Sequence, residues 1–503
     1  MQAELKASCT STSDFTVPVD KQGTVVYFSV NGNRYFFNGN TGLFYDSLAA
    51  YAQETFEVLK RPYEYHNAAF ASLAKQYGSN CIDLVNQIRL FKNGTHPDLA
   101  SESRQQHFFH RKYPDTIDIL VSQHCNLACT YCSYQGGSFG KSRSYMSADT
   151  ATHVLTFLNK LISKKTVSPV TVTLSGGEPL LAPEAVYTLV RGIHKLNRQN
   201  RKTGIRMMLC TNGTIYSKKI FEIFAERPDI SRIAVSLDAF KDTQDKNRPF
   251  ANASGCSPYD CVLGNLRRMD QEEIPYSVTC VVPYPYDFIG AANELSRLGF
   301  RCIEIKQLIH HIYGKPVLPA VFRREFNIWR KNYIAYSDFY IRHLNDRNPV
   351  RHVDRDRLFG DYATRLARPP NGNGTLACRM GDSTIGITSD GTLFPCSNLA
   401  AHRQFQLGNV RSGFDRVKYD RFEQWLLSRG QHRVDSERCR NCYAKRICRG
   451  GCYAESIDKT KTLSLPDETF CLYKKEMVKI DLHYIAQLKK HHPEYLSELT
   501  NKD

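Results

Sequence analysis

No stretch of this 503-residue sequence approaches the roughly 18 consecutive apolar residues of a membrane-spanning helix. The first residues, MQAELKASCTSTSDF, also lack the apolar stretch of a secretory signal. No membrane partner is therefore expected, and a cytoplasmic location is. A polybasic arm is missing too. The net charge of +17 is spread along the chain, with eleven Lys/Arg against six Asp/Glu between Val321 and Pro370. That describes a basic face for an acidic partner, and an acidic peptide suits it as well as RNA does. The strand–helix region, about 115–310, shows no repeat at the sequence level. The 17 cysteines are an odd number, which argues against a framework made only of disulfides. In a reducing compartment, clustered cysteines read as metal ligands.

What is present divides the chain by pattern. Residues 20–95 open with TVVYFSV, the turn NGN and RYFFNG, a β-hairpin to which LFYDSL adds a third strand. Helical stretches at Ala49–Lys60, Asn67–Tyr77 and Cys81–Phe91 complete a β3α3 module. Residues 96–114 read as a linker. Between 115 and 310, strand patterns at Ile117–Val121, Val170–Leu174, Ile205–Leu209, Arg232–Ser236, Tyr276–Val282 and Cys302–Leu308 alternate with helical ones such as Ala151–Lys164. Six β/α units predict an α/β fold with a parallel sheet, open or curled into a partial barrel. A basic helical bridge spans 311–372, a loop-rich, cysteine-rich segment 373–475, and a helix near Lys474–Lys490 leads into the C-terminal stretch 476–503.

The chemistry concentrates after the predicted strands, where β/α barrels build their active sites. The first strand runs into CNLACTYC, which holds Cys125, Cys129 and Cys132. Three thiolates can carry three irons of a [4Fe–4S] cube and leave the fourth iron open. Structural zinc prefers four protein ligands. The second strand ends in SGGEP (Gly176, Gly177, Glu178, Pro179), where glycines let backbone approach a ligand and Glu178 can accept from an ammonium. The third ends in Thr211, Asn212 and Gly213, the fourth in Ser236, Leu237 and Asp238. These are candidate contacts to a ribose or a carboxyl group.

This pattern, C-x3-C-x2-C with Tyr131 before the last cysteine and then GGEP, resembles the radical S-adenosylmethionine (SAM) enzymes. The resemblance implies that Cys125, Cys129 and Cys132 hold a [4Fe–4S] cluster whose open iron chelates SAM. It places the Gly176–Glu178 stretch at the methionine amine and Ser236 and Arg248 at the ribose and carboxylate. Ala239 and Gln244 depart from common relatives, which often have Gly and His there. The seven cysteines Cys378, Cys396, Cys439, Cys442, Cys448, Cys452 and Cys471, with LGNV and RGGC, resemble the SPASM domain and its two auxiliary Fe–S clusters. The resemblance assigns Cys378, Cys396 and Cys452 to one cluster and Cys439, Cys442, Cys448 and Cys471 to the other, one ligand short of two all-cysteine cubes. Cys9, Cys81, Cys210, Cys256, Cys261, Cys280 and Cys302 read as ordinary thiols.

The order of the N-terminal elements, winged-helix-like, is similar to the leader-recognition module of enzymes that modify ribosomal peptides. An acidic leader would add as a strand to its sheet. The expectation is a radical SAM/SPASM peptide maturase, served by an electron donor such as flavodoxin or ferredoxin. It would crosslink a precursor peptide oxidatively. Epimerisation and formylglycine formation are the enzymatic alternatives. An RNA-binding or RNA-modifying Fe–S or zinc protein is the alternative of another class, although a nucleic-acid partner is not expected.

Overall fold

The computed structural model describes residues 16–18, 25–39, 44–46, 54, 58, 66–77 and 114–500, except 133, 139–141, 164–168, 200–203, 253–254, 309–318, 347–348, 368–379, 382, 436, 449 and 461–467. The N-terminal alternation produces the expected hairpin: β2 (Val25–Val30) pairs antiparallel with β3 (Asn33–Asn38) across a tight Asn31–Gly32 turn. β4 (Phe44–Asp46) lies outside β3, and β1 (Thr16–Pro18) lies outside β2. The sheet therefore has four strands rather than three, because three residues are too few for β1 to show an alternation. Helix α1 (His66–Tyr77) matches the second expected helix. Of the first, only Glu54 and Val58 are described, both helical, and Cys81–Phe91 lies outside the described residues.

Six parallel strands follow in chain order: β5 (Thr116–Ser122), β6 (Val170–Gly176), β7 (Ile205–Thr211), β8 (Ser231–Ser236), β9 (Ser277–Val282) and β10 (Cys302–Gln307). Helices α2 (Ala148–Ile162), α3 (Pro183–Gln199), α4 (Lys218–Ala225), α5 (Lys241–Asn247), α6 (Pro258–Gln271) and α7 (Phe288–Arg297) connect them. Local chemistry sets several starts. Ser147 accepts from the Thr150 N–H at the head of α2, and Ser257 precedes Pro258 at the first position of α6. Along each strand, Ile117, Ile119, Val172, Leu174, Leu209 and their like are buried in the main core. Many of the alternate positions are polar, among them Asp118, Thr173, Ser175, Cys210, Ser236, Thr279 and Glu304. A parallel sheet covered by helices on both faces would be apolar on both. Here one face is a polar lumen, as a curled sheet requires.

The sheet continues at both edges. Helix α8 (Pro319–His343) leads to β11 (Arg351–His352), parallel to β10, and then to α9 (Val353–Ala367). On the other side β12 (Thr384–Ile387) lies parallel to β5, followed by the antiparallel β13 (Thr392–Phe394), β14 (Gly408–Asn409) and β15 (Gly413–Phe414). Both the helical bridge and the cysteine-rich segment thus donate strands to the barrel sheet. The latter also contains a 20-residue helix, α10 (Arg416–Asp435), and is less loop-rich than its pattern suggests. Short helices α11 (Glu437–Arg440), α12 (Lys445–Cys448) and α13 (Tyr453–Thr460) precede α14 (Glu468–His491) and α15 (Pro493–Thr500). Helix α14 has no internal Gly or Pro and runs unbroken through residue 475, so Cys471 and the C-terminal stretch share one element. Among the described residues no helix is long and apolar enough to cross a membrane.

Candidate active site

The loop after β5 is pinned on both sides before any side chain is considered. On one side it rests on the loop after β6: the Gly177 N–H donates to Ser122 O at 2.7 Å and the Glu178 N–H to His124 O at 2.8 Å. A Cβ at Gly177 would collide with the carbonyl oxygens of His124 and Gly136. Backbone packing alone therefore demands glycine there. On the other side the loop pairs with residues 247–251. The Ala128 N–H donates to Pro249 O, Thr130 N–H to Asn247 O, and Ala251 N–H to Asn126 O.

Within this frame Cys125, Cys129 and Cys132 are all half-buried. The Cys125 sulfur accepts from the Leu127 N–H at 3.4 Å and from the Asn212 amide at 3.5 Å, and Cys132 accepts from the Gly136 N–H at 3.3 Å. Such donors stabilise thiolates and tune Fe–S clusters. Burial pushes the Cys129 thiol up to about 11, Arg248 pulls it down, and the charges of Cys125 and Cys132 raise it further. A coordinated metal reverses that balance, since it binds the thiolate form. Among the described residues no three Cys, His, Asp or Glu side chains converge as they would on a single metal ion. A cube, by contrast, spreads its thiolates over separate irons. Three donors and sulfur-directed N–H groups fit that group.

The other candidate residues brace the loop. Glu178 is fully enclosed. Its carboxylate accepts from the Leu180 N–H at 3.0 Å, the Thr211 hydroxyl at 2.8 Å and the Asn212 N–H at 2.7 Å. Burial still pushes it up to about 7. The side chain expected to receive an ammonium is thus a brace between the loops after β6 and β7, with Pro179 starting the turn that follows. Asn212 bonds to Asn126 at 2.8 Å as well as to Cys125. Arg248, expected at a ligand carboxylate, instead makes two bonds of 3.2 Å to the buried Asp238. Asp238 also accepts from the Val281 N–H and the Tyr131 hydroxyl, while Gln244 accepts from the Asp238 N–H. This polar cluster lies behind the cysteine loop. Ser236 is half-buried at the end of β8.

The C-terminal cysteines gather as two groups. Cys439, Cys442, Cys448 and Cys471 line one cavity together with Arg438, Lys445, Lys474 and Lys475. Burial, reinforced by the other three thiols, pushes Cys471 up to about 12. Four thiols with cations beside them suit an anionic cluster. Cys396 and Cys452 stand at the starts of a turn of 3₁₀-helix (Ser397–Leu399) and of α13, which pack against each other. Cys378 lies outside the described residues.

Sequence reasoning missed Asn126, Tyr134, Ser397 and Asn398. The Tyr134 hydroxyl donates to the Asn398 side chain, so the segment that follows Cys132 meets the segment that follows Cys396. Their separation by more than 260 residues hides the pair. Nothing in either local pattern announces it.

Residues 119–287 match the family described as the Radical SAM superfamily, and residues 378–443 match SPASM, an iron–sulfur cluster-binding domain. Among curated relatives, the cysteine-type anaerobic sulfatase-maturating enzyme of Clostridium perfringens (strain 13 / Type A) is 23% identical, over 75% of this chain and 94% of its own. The AdoMet-dependent heme synthase of Methanosarcina barkeri is 22% identical over 72% and 97%. Of solved structures, anSMEcpe with bound AdoMet superposes with a TM-score of 0.60 at 19% identity, covering 77% of this chain and 98% of that one. The same protein with AdoMet and the Kp18Cys peptide gives 0.55 at 18%, covering 77% and 99%.

Proposed function

We propose that this chain, which carries a radical SAM domain and a SPASM domain, is a peptide maturase that oxidatively crosslinks a ribosomal precursor peptide. The observation that carries the reading is the pairing of an incomplete thiol set with a complete one. Cys125, Cys129 and Cys132 would hold a [4Fe–4S] cluster with one iron open to SAM, and Cys439, Cys442, Cys448 and Cys471 would close around a second cluster. Cys378, Cys396 and Cys452 would hold a third. When bound, SAM and the first cluster supply a 5′-deoxyadenosyl radical. The chain's own part is positional. Gly176 and Gly177 bring backbone against the cysteine loop, Asn212 and the Leu127 N–H orient Cys125, and the Asp238–Arg248 pair fixes the loop from behind. Ser236 is left for the ligand.

A peptide substrate is supported by the peptide-bound anSMEcpe structure, whose fold this chain shares. The net charge of +17 suits an acidic leader, and the N-terminal β-sheet, from Thr16 to Asp46, would offer strand pairing for it. Flavodoxin or ferredoxin in the cytoplasm would supply the electron. The sulfatase-maturating relative supports a second reading, formylglycine formation.

Anaerobic coexpression with a small peptide encoded beside the gene tests the proposal through intact mass. Crosslinking removes about two mass units per event, because two hydrogens leave the peptide. Deuterium uptake from heavy water without mass loss would replace crosslinking by epimerisation. A peptide left unchanged, alongside conversion of a sulfatase-type Cys or Ser peptide, would overturn the precursor-peptide reading.

A further inference from the structure

Strand β5 carries a carboxylate, Asp118, on its lumen face. Its parity sends Ile117, Ile119 and Val121 into the main core and Thr116, Asp118 and Leu120 to the lumen. Leu120 there packs with Phe394 and Ala400, on either side of the Cys396 turn. Asp118 accepts from the Ser397 hydroxyl at 2.9 Å and from the Thr173 hydroxyl of its neighbour strand β6. Ser397 directly follows Cys396, and the next residue, Asn398, is the one bound by Tyr134 two positions beyond Cys132. Asp118 thus lies where the barrel lumen meets the segment joining the two metal regions.

The other carboxylates around this space are committed. Glu178 is sealed beneath the loops, and Asp238 is paired with Arg248. Glu304 is held by Arg357, Lys306 and Thr279. Asp118 is half-buried and, among the described residues, has hydroxyl partners but no ion pair. Its carboxyl is pushed above the ordinary aspartate value by burial, against the pull of the two hydroxyls. The titratable groups turned to the same face are Arg206 and Cys210 on β7, Arg232 on β8, Cys302, Glu304 and Lys306 on β10, and Arg351 on β11; β6, β9 and β12 add none. A carboxylate without a cation partner among the described residues, its proton affinity raised by burial, is suited to take a proton.

We propose that Asp118 is the base that receives the substrate's proton in the oxidative step. The proposal rests on the peptide-oxidation reading above. In that step one hydrogen atom leaves a substrate carbon for the 5′-deoxyadenosyl radical. Closing the new bond to an O–H, N–H, S–H or aromatic C–H partner then releases one proton and one electron. The proton goes to the Asp118 carboxylate, and the electron to a one-electron acceptor of the iron–sulfur class. Two hydrogens leave the peptide, and the electron account closes.

Asp118→Asn keeps the shape and an acceptor for Ser397, so iron content and thermal midpoint should match wild type. With a deuterated peptide that wild type converts, the variant should still move deuterium into 5′-deoxyadenosine. Crosslinked product per 5′-deoxyadenosine should fall, on the order of a hundredfold. Wild-type coupling should fail as pH drops through the Asp118 titration, and Thr173→Val, which removes a hydroxyl that favours the anion, should move that limb to higher pH. Independently of cofactor loading, wild-type-minus-variant infrared spectra should show the Asp118 carboxyl band appearing above the ordinary aspartate range. Unchanged coupling in Asp118→Asn, an unmoved limb in Thr173→Val, or a band titrating at the ordinary value would each overturn the assignment. Because wild type serves as the internal standard, failure of the peptide reading appears in the wild-type reaction and failure of Asp118 only in the variants.

Discussion

Glu178 shows how one buried residue can position a cysteine without touching it. Its two oxygens receive three hydrogen bonds from the loops after β6 and β7, and Asn212, held in this way, aims its amide at the Cys125 sulfur. The carboxyl has a folded-state value of about 7 against an ordinary 4.5, with burial as the cause. The folded protein therefore holds this proton more tightly than the unfolded chain. The resulting stabilisation is fully present below the ordinary value and is lost as pH rises to about 7. Glu178→Gln removes the titration. A plot of thermal midpoint against pH should lose part of its downward slope across that window, and an equal slope in both proteins would show that Glu178 does not titrate there. The amide also sets an NH2 group against one of three N–H or O–H donors, so at pH 8 the variant should be less stable by about 1–3 kcal/mol.

The element that decides the site's geometry is the cysteine loop, and its rear support is residues 247–251 with the Asp238–Arg248 pair. Both side chains of the pair are almost wholly enclosed, at 1% and 7% exposure. Arg248→Ala would leave a buried carboxylate without its cation and should cost about 3–5 kcal/mol. Adding Asp238→Asn should recover part of that loss, because the uncompensated charge goes with it. Additive losses measured by denaturant unfolding would mean that the two act independently. The six barrel strands were legible from sequence because their alternation reflects a real asymmetry, helices on one side and polar lumen on the other. The grouping of Cys125, Cys129 and Cys132 in one loop was legible because the three lie close in sequence. What Glu178, Asn212 and Arg248 do was not, since each is defined by a partner on another loop. A polar residue at the end of a strand looks the same whether it faces a ligand or a neighbouring backbone. Asp118 did leave a trace, a lone acid at lumen parity in an otherwise apolar strand, but only its contact with Ser397 gives that trace a meaning.

At the scale of the whole molecule, the N-terminal sheet is fastened to the auxiliary-cluster end. Val26, Phe28, Val30, Tyr35 and Phe37 belong to the continuous main core. Tyr35 shares a hydrogen bond with His483 on α14, the helix that also carries Cys471. A Cβ at Gly39 would collide with the backbone of Tyr443, the residue directly after Cys442. Beyond these contacts, the Tyr443 hydroxyl donates to Lys475 O and ties the knuckle back to α14. The sheet thus covers the ground on which the four-thiol cavity stands, and removing it uncovers large aromatic side chains. Deleting residues 1–46 should lower the thermal midpoint and reduce bound iron by about four atoms per chain, one cube's worth. The three-cysteine loop, which these contacts do not touch, should keep its own iron. Full iron retention with an unchanged midpoint would show instead that the sheet is a separable module. Since the expected outcome couples the sheet to the cluster, loss of peptide processing in such a deletion says little about leader binding. Phe44 of β4 stacks on Tyr35 and packs against the main core, so substitution there would disturb the same contacts.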